Sequence, residues 1–144
     1  MSRPMLLIFN FSDARLSKLR FLCMKLGLAV KAVPEADFGQ PVSALCGLTE
    51  KTDAASIEEP FTEEMMIFCH MDHAAVNRFL QTARQLRFAP VALKAMLTPT
   101  NAEWTPVRLV SELREEREAL RQGKAAEHEA SGNAAKASPK GSDS

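Results

Sequence analysis

The stretch "CHMDH" sets Cys69, His70, Asp72 and His73 within five positions, and thiolate, imidazole and carboxylate are the side chains that bind zinc and similar cations. Their spacing restricts that chemistry. If the apolar run before them is a strand, alternation turns Cys69 and His70 to opposite faces. Asp72, at the start of the helix that follows, spends its carboxylate on free backbone N–H groups. His70 and His73 remain as a candidate metal pair, but two ligands do not close a site and the sequence offers no second cluster. The plainer reading, a capping Asp72 beside two surface or half-buried histidines, is favoured.

A second candidate lies in "LKAMLTPTNAEWTP", residues 93–106. Lys94 is the one charge in an apolar strand, and it shares a side of that strand with Met96. It is expected to snorkel to an edge or to meet an acid such as Glu112 or a bound anion. Pro106 fixes a first helical turn and disfavours helical geometry at Thr105, which makes Thr105 the N-cap of a final helix. Thr100 and Glu103 have the spacing of a capping box, so a separate turn is expected ahead of that helix. Trp104 falls between the two turns, where it is expected to pack on the sheet face bearing Met96. Lys94, Thr98, Asn101 and Trp104 are the candidate binding residues, although a purely structural turn accounts for most of the segment.

Other chemistries lack their residues. The six glycines are scattered, and neither a dinucleotide fingerprint nor a phosphate loop follows a strand. No nucleophile elbow is present. Glutamates 112, 115, 116 and 118 alternate with arginines and read as a solvated helix face. Lys+Arg and Asp+Glu both number 18, so no global basic field draws the chain to nucleic acid or anionic lipid. The third predicted strand carries only Phe68 as an aromatic, and there is no tyrosine to stack bases. No apolar stretch is long enough for a membrane span, and the three cysteines form no CxxC. These features predict a cytoplasmic protein with reduced thiols, no cofactor, no nucleic-acid partner and no membrane partner.

The elements that carry these residues repeat. "MLLIFNFSDARLSKLRFLCMKLGLAV" from Met5 and "MMIFCHMDHAAVNRFLQTARQLRFAPV" from Met65 show the same order of signals about sixty residues apart. Each begins with a short apolar run, followed by a small polar capping residue, Ser12 or Asp72. Apolar residues then recur at helical spacing: Leu16, Leu19, Cys23 and Leu26 in one unit, Val76, Phe79, Ala83 and Leu86 in the other. Second strands follow near 28–33 and 91–97. Two βαβ units in series predict a ferredoxin-like α/β sandwich with helices on one face of a four-stranded antiparallel sheet. A small doubly wound parallel sheet is the alternative.

In "MLLIF" and "MMIFC" both alternating sets are apolar, so both sheet faces are expected to be covered. The two helices cover one. The helix from Thr105, with Val107, Leu109, Val110, Leu113 and Leu120 along one side, or else a second copy of the chain, is the candidate for the other. Residues 34–62 read as an insertion with a short helix from Pro41. One domain over 1–122 and a disordered tail over 123–144, which has no aromatic or β-branched residue, complete the organisation.

The order Lys94, Thr98, Asn101, Trp104, followed by Leu109, Glu112, Leu113 and Glu116, resembles a family of small bacterial proteins described only as a domain of unknown function. The likeness extends from the first strand through "QPVSALCG" and "EEMMIF" to about Leu120. It implies a short α/β domain with no assigned activity, catalytic residues or cofactor. The leading expectation is a non-enzymatic module, a homodimer or one bound to a protein partner or small effector, using the sheet face and the Thr98–Trp104 turn. The competing expectation is a metal-dependent protein or enzyme using His70, His73, Lys94 and Asn101.

Overall fold

A computed structural model describes residues 3–53 and 60–126, with 124–126 described by their backbone alone. The elements are β1 (Met5–Phe9), α1 (Asp13–Leu26), β2 (Ala29–Ala32), α2 (Val42–Leu45), β3 (Met65–Cys69), α3 (His73–Gln85), β4 (Leu93–Met96) and α4 (Pro106–Ala126). Single 3-10 turns at Glu35–Asp37 and Asn101–Glu103 precede α2 and α4. Two compact units are distinguished, one of residues 1–110 and one from Ser111 onward. Most of the predicted tail lies outside the described residues, and its first residues, 123–126, continue α4.

The protein is a mixed α/β fold in which the strands form one sheet in the order β2-β1-β3-β4. Each βαβ unit keeps its strands adjacent and parallel, Leu6 beside Val30 and Met66 beside Lys94. The units meet through antiparallel β1 and β3, with Leu6 opposite Phe68 and Ile8 opposite Met66. The two units and the sandwich follow the sequence reading, whereas the pairing is mixed rather than antiparallel throughout. The physical reason is the short return from α1, which sets β2 directly on one edge of β1 and leaves the other edge for β3. Helices α1 and α3 share one core cluster, so they lie on the same face and the doubly wound alternative does not hold.

Sixty residues separate matching corners in the two units. Asn10 and His70, each directly after a strand, have positive φ of 65° and 61°. Ser12 accepts the Arg15 N–H, and Asp72 accepts the Ala75 N–H. Gly27 and Arg87, each just beyond a helix, also have positive φ, 71° and 59°. The next N–H in each case reaches back into the last turn, Leu28 to the Cys23 carbonyl at 2.9 Å and Phe88 to the Ala83 carbonyl at 2.8 Å. Both helices thus end in the same left-handed stop.

The face carrying Leu6, Ile8, Met66 and Phe68 is covered by Leu19, Leu22 and Cys23 of α1 and by Val76, Phe79 and Ala83 of α3. Leu7, Phe9, Met65, Ile67 and Cys69 alternate with these residues and are also buried. The 34–62 insertion, which the sequence reading did not assign to this face, contributes to their cover: its Phe38 and Phe61 stack at 4.6 Å and stand 5.6 and 5.9 Å from Phe9. Lys31, on the same face as Leu7, donates its Nζ to the Leu45 carbonyl at the end of α2 at 3.0 Å. Ring contacts of this kind contribute about 1 kcal/mol each beyond the area they bury, enough to fix a segment whose described residues have little regular structure. Leu109 and Val110 at the start of α4 are buried as well, whereas Leu120 is 64% exposed.

Arg15 closes one end of this frame. Its guanidinium donates to both Glu64 carboxylate oxygens at 2.9 and 2.7 Å and to the Ala89 carbonyl at 2.8 Å. It also lies 4.3 Å from the Phe88 ring centre and 5.4 Å from that of Phe11. One side chain of α1 therefore holds the start of β3 and the segment after α3, and hydrogen bonding to Glu64 raises its pKa further.

The matched helix stops yield a reciprocal prediction. Arg87→Gly relieves a left-handed residue and should stabilise the fold by about 0.5–1 kcal/mol. Gly27→Ala should cost about 1 kcal/mol, from backbone strain alone because nothing lies within 4 Å of the added Cβ. Urea unfolding midpoints measure both.

Candidate functional site

The Thr98–Trp104 turn is bonded within itself. Asn101 is buried; its Oδ1 accepts the Thr98 N–H at 2.9 Å and its Nδ2 donates to the Met96 carbonyl at 2.9 Å. The Asn101 N–H in turn donates to Thr98 Oγ1 at 3.0 Å. The expected turn therefore forms, but Thr98 caps it; Thr100 is itself helical and makes no side-chain cap. Thr105 does cap α4, accepting the Arg108 N–H at 3.3 Å.

Lys94 and Trp104 stand apart from that pair. Lys94 sits beside Met66 on the face covered by α1 and α3, and its Nζ donates to the Val91 carbonyl at 3.1 Å. Partial burial lowers its pKa. Trp104 is half-buried, with the Arg108 guanidinium 4.4 Å from its ring centre. Its carbonyl accepts the Val42 N–H at 2.8 Å, so the turn anchors the start of α2 on the opposite side of the sheet. Of the four candidate binding residues, only Thr98 and Asn101 are brought together, and they bond to each other.

The "CHMDH" residues disperse in the same way. His70 is half-buried at the left-handed corner after β3, His73 is exposed at the first position of α3, and Asp72 caps that helix. Cys69 turns toward the insertion, where it interacts with Cys46. Among the described residues no group of three or more His, Cys, Asp or Glu is placed to hold a metal. Burial, with the neighbouring Cys46, pushes the Cys69 thiol well above its ordinary value. Burial also raises Cys23 to about 12, against the opposing charge of Arg20. Both remain protonated thiols, poor as nucleophiles and as ligands.

The outer surface of α1 and α3 has a different character. Phe21 is 53% exposed, Met24 69% and Leu86 44%. Phe21, Leu22, Leu86 and Phe88, with Ser17 and Lys18, line an open cleft of about 360 Å³. Leu86 belongs to the apolar stripe that the spacing assigned to the core, but it falls at the C-cap of α3, where the helix has already ended. Phe21 and Met24 lie off the stripe of α1, and that surplus of apolar residues was the only sequence signal for this surface.

Zero net charge also conceals a segregation. Residues 5–33 and 65–97 carry nine Lys and Arg against Asp13 and Asp72, while 34–64 carry eight Asp and Glu against Lys51. Six of those cations, Lys18, Arg20, Lys25, Arg78, Arg84 and Arg87, are exposed on α1, on α3 or just beyond it.

Two predictions follow from these placements. Asn101→Ala should destabilise by about 2 kcal/mol, because the Thr98 N–H and the Met96 carbonyl both lose their partner; urea unfolding measures it. For Cys23, the unfolded thiol ionises above its ordinary value of 9.0 while the native thiol holds its proton to about 12. The native state therefore binds more protons in that window, and stability falls as pH rises through it. The loss from Cys23 at one pH unit above the unfolded value should be about 1.4 kcal/mol. Unfolding under reducing conditions should show a smaller alkaline loss in Cys23→Ala than in the wild type.

Comparison with known proteins adds one relationship. No curated protein and no solved structure matches the chain. The detectable likeness begins at β3, so the first βαβ unit and the insertion lie outside it. Residues 64–120, which hold β3, α3, β4, the Asn101 turn and α4 as far as Leu120, match the family described as a domain of unknown function, DUF3783.

Proposed function

We propose that the chain is a non-enzymatic module that binds a protein partner through the outer face of α1 and α3. The observation that carries this reading is the pair Phe21 and Leu86, half-exposed on two helices and flanking one cleft. Met24 extends the same apolar surface along α1. Full burial of side chains of this size is worth about 1.5–3 kcal/mol each, so covering what is now exposed supplies a driving force that a lone surface leucine does not.

The sheet faces and the Thr98–Trp104 turn are weaker candidates for binding. Both faces of the sheet already have covers from within the chain, and the polar atoms of Thr98 and Asn101 are spent on each other and on Met96.

Peptides selected from a random display library on the immobilised full chain test this reading, with amide hydrogen exchange to locate them. Protection is expected over Ser17–Leu22 and Ala83–Phe88 and should vanish in a Phe21→Ser, Leu86→Ser variant. Protection at Thr98–Trp104 instead, or failure to enrich any peptide, would overturn it.

A further inference from the structure

Resting on that reading of the α1/α3 face, we infer that its partner is an acidic amphipathic segment, with a bulky apolar side chain for the cleft and carboxylates for the rim. Lys18, Arg20, Lys25, Arg78, Arg84 and Arg87 are all exposed on α1, on α3 or just beyond it. None of the six forms an ion pair among the described residues. The remaining cations of the two βαβ units are already engaged: Arg15 with Glu64, Lys31 with the Leu45 carbonyl, Lys94 with the Val91 carbonyl. The only carboxylates on these helices, Asp13 and Asp72, sit at the helix starts, and Asp72 is spent on the Ala75 N–H.

Two of these cations stand at the apolar cleft. Lys18 lines it, and the Lys25 Nζ lies 5.3 Å from the ring centre of Phe21 on its edge. Arg84 and Arg87 bracket Leu86 in the chain. An apolar cleft with unpaired cations at its edge complements an apolar anchor flanked by acids, the arrangement in which charge sets orientation and on-rate while the anchor supplies affinity. A nucleic acid backbone would satisfy the cations and leave Phe21, Met24 and Leu86 in water. A bilayer surface meets protrusions, whereas Leu22 and Phe88 form the walls of a recess that a single side chain can enter.

Two designed helical peptides discriminate these possibilities. They share one apolar stripe of Phe and Leu at helical spacing and differ only in carrying Glu or Lys on the flanks. Titrated against the full chain by fluorescence anisotropy, the Glu peptide is expected to bind at least about tenfold more tightly than the Lys peptide, with the gap narrowing as salt is raised. Lys18→Glu with Lys25→Glu should close or invert the gap, and Phe21→Ser should abolish binding of both peptides.

Equal binding of the two peptides that still depends on Phe21 would overturn the acidic partner while leaving the binding face in place. Binding of the Glu peptide that survives Phe21→Ser would overturn both. Both would also fall if neither peptide binds, whether or not phosphatidylserine vesicles or duplex DNA bind the chain.

Discussion

The central strand pair is apolar on both sides, and the rest of the fold follows from that constraint. Leu6, Ile8, Met66 and Phe68 point one way while Leu7, Phe9, Met65, Ile67 and Cys69 point the other, and all are buried. A sheet of this kind cannot leave either face in water without exposing several large side chains at about 1.5–3 kcal/mol each. Helices α1 and α3 satisfy one face, as the helices of βαβ units do. The second face is covered in part by an insertion whose described residues have little regular structure, held by a cluster of three phenylalanines and by hydrogen bonds.

Those ends are secured by polar side chains at the corners of the sheet. The Asn10 Nδ2, at the left-handed corner after β1, donates to the Phe61 and Glu63 carbonyls at 3.0 Å each, which fixes the chain as it returns from the insertion to β3. Gln40 makes reciprocal bonds within the insertion, its Nε2 to the Thr52 carbonyl and its Oε1 from the Thr52 N–H, both at 2.8 Å. The Asn101 turn holds the start of α2 through the Trp104 carbonyl. The turn that looked most specialised in the sequence therefore does joinery: through the Trp104 carbonyl it fastens α2 of the second cover. The surface proposed for recognition lies on the outside of the first cover.

What could be read from the sequence was local. The two βαβ units, the caps at Ser12, Asp72 and Thr105, and the apolar character of both strand faces depend on spacing over a few residues. Strand order depends on which edge of β1 receives β3, a choice between distant segments that no periodicity records. The insertion's part in covering the second face was missed because Phe38 and Phe61 stand singly among prolines and acids and join only after folding. The Thr100–Glu103 spacing suggested a cap that the structure gives to Thr98 instead, since Asn101 can reach back to the Thr98 N–H and the Met96 carbonyl together. The charge segregation was hidden by equal totals, and Leu86 kept its helical spacing one position past the end of its helix.

Coverage of both faces by the chain itself, with Phe21, Met24 and Leu86 left exposed on the outside of α1 and α3, is the claim on which the functional reading stands. Its three sentinels are methionines. Met65 faces the insertion, Met66 faces α1 and α3, and Met24 lies on the outer surface of α1. Peptide-resolved oxidation of the native full chain by hydrogen peroxide should convert Met24 rapidly and leave Met65 and Met66 protected together until the fold opens as a whole. Oxidation of Met65 as fast as that of Met24, with Met66 still protected, would contradict the account, because it would mean that the insertion does not cover the second face.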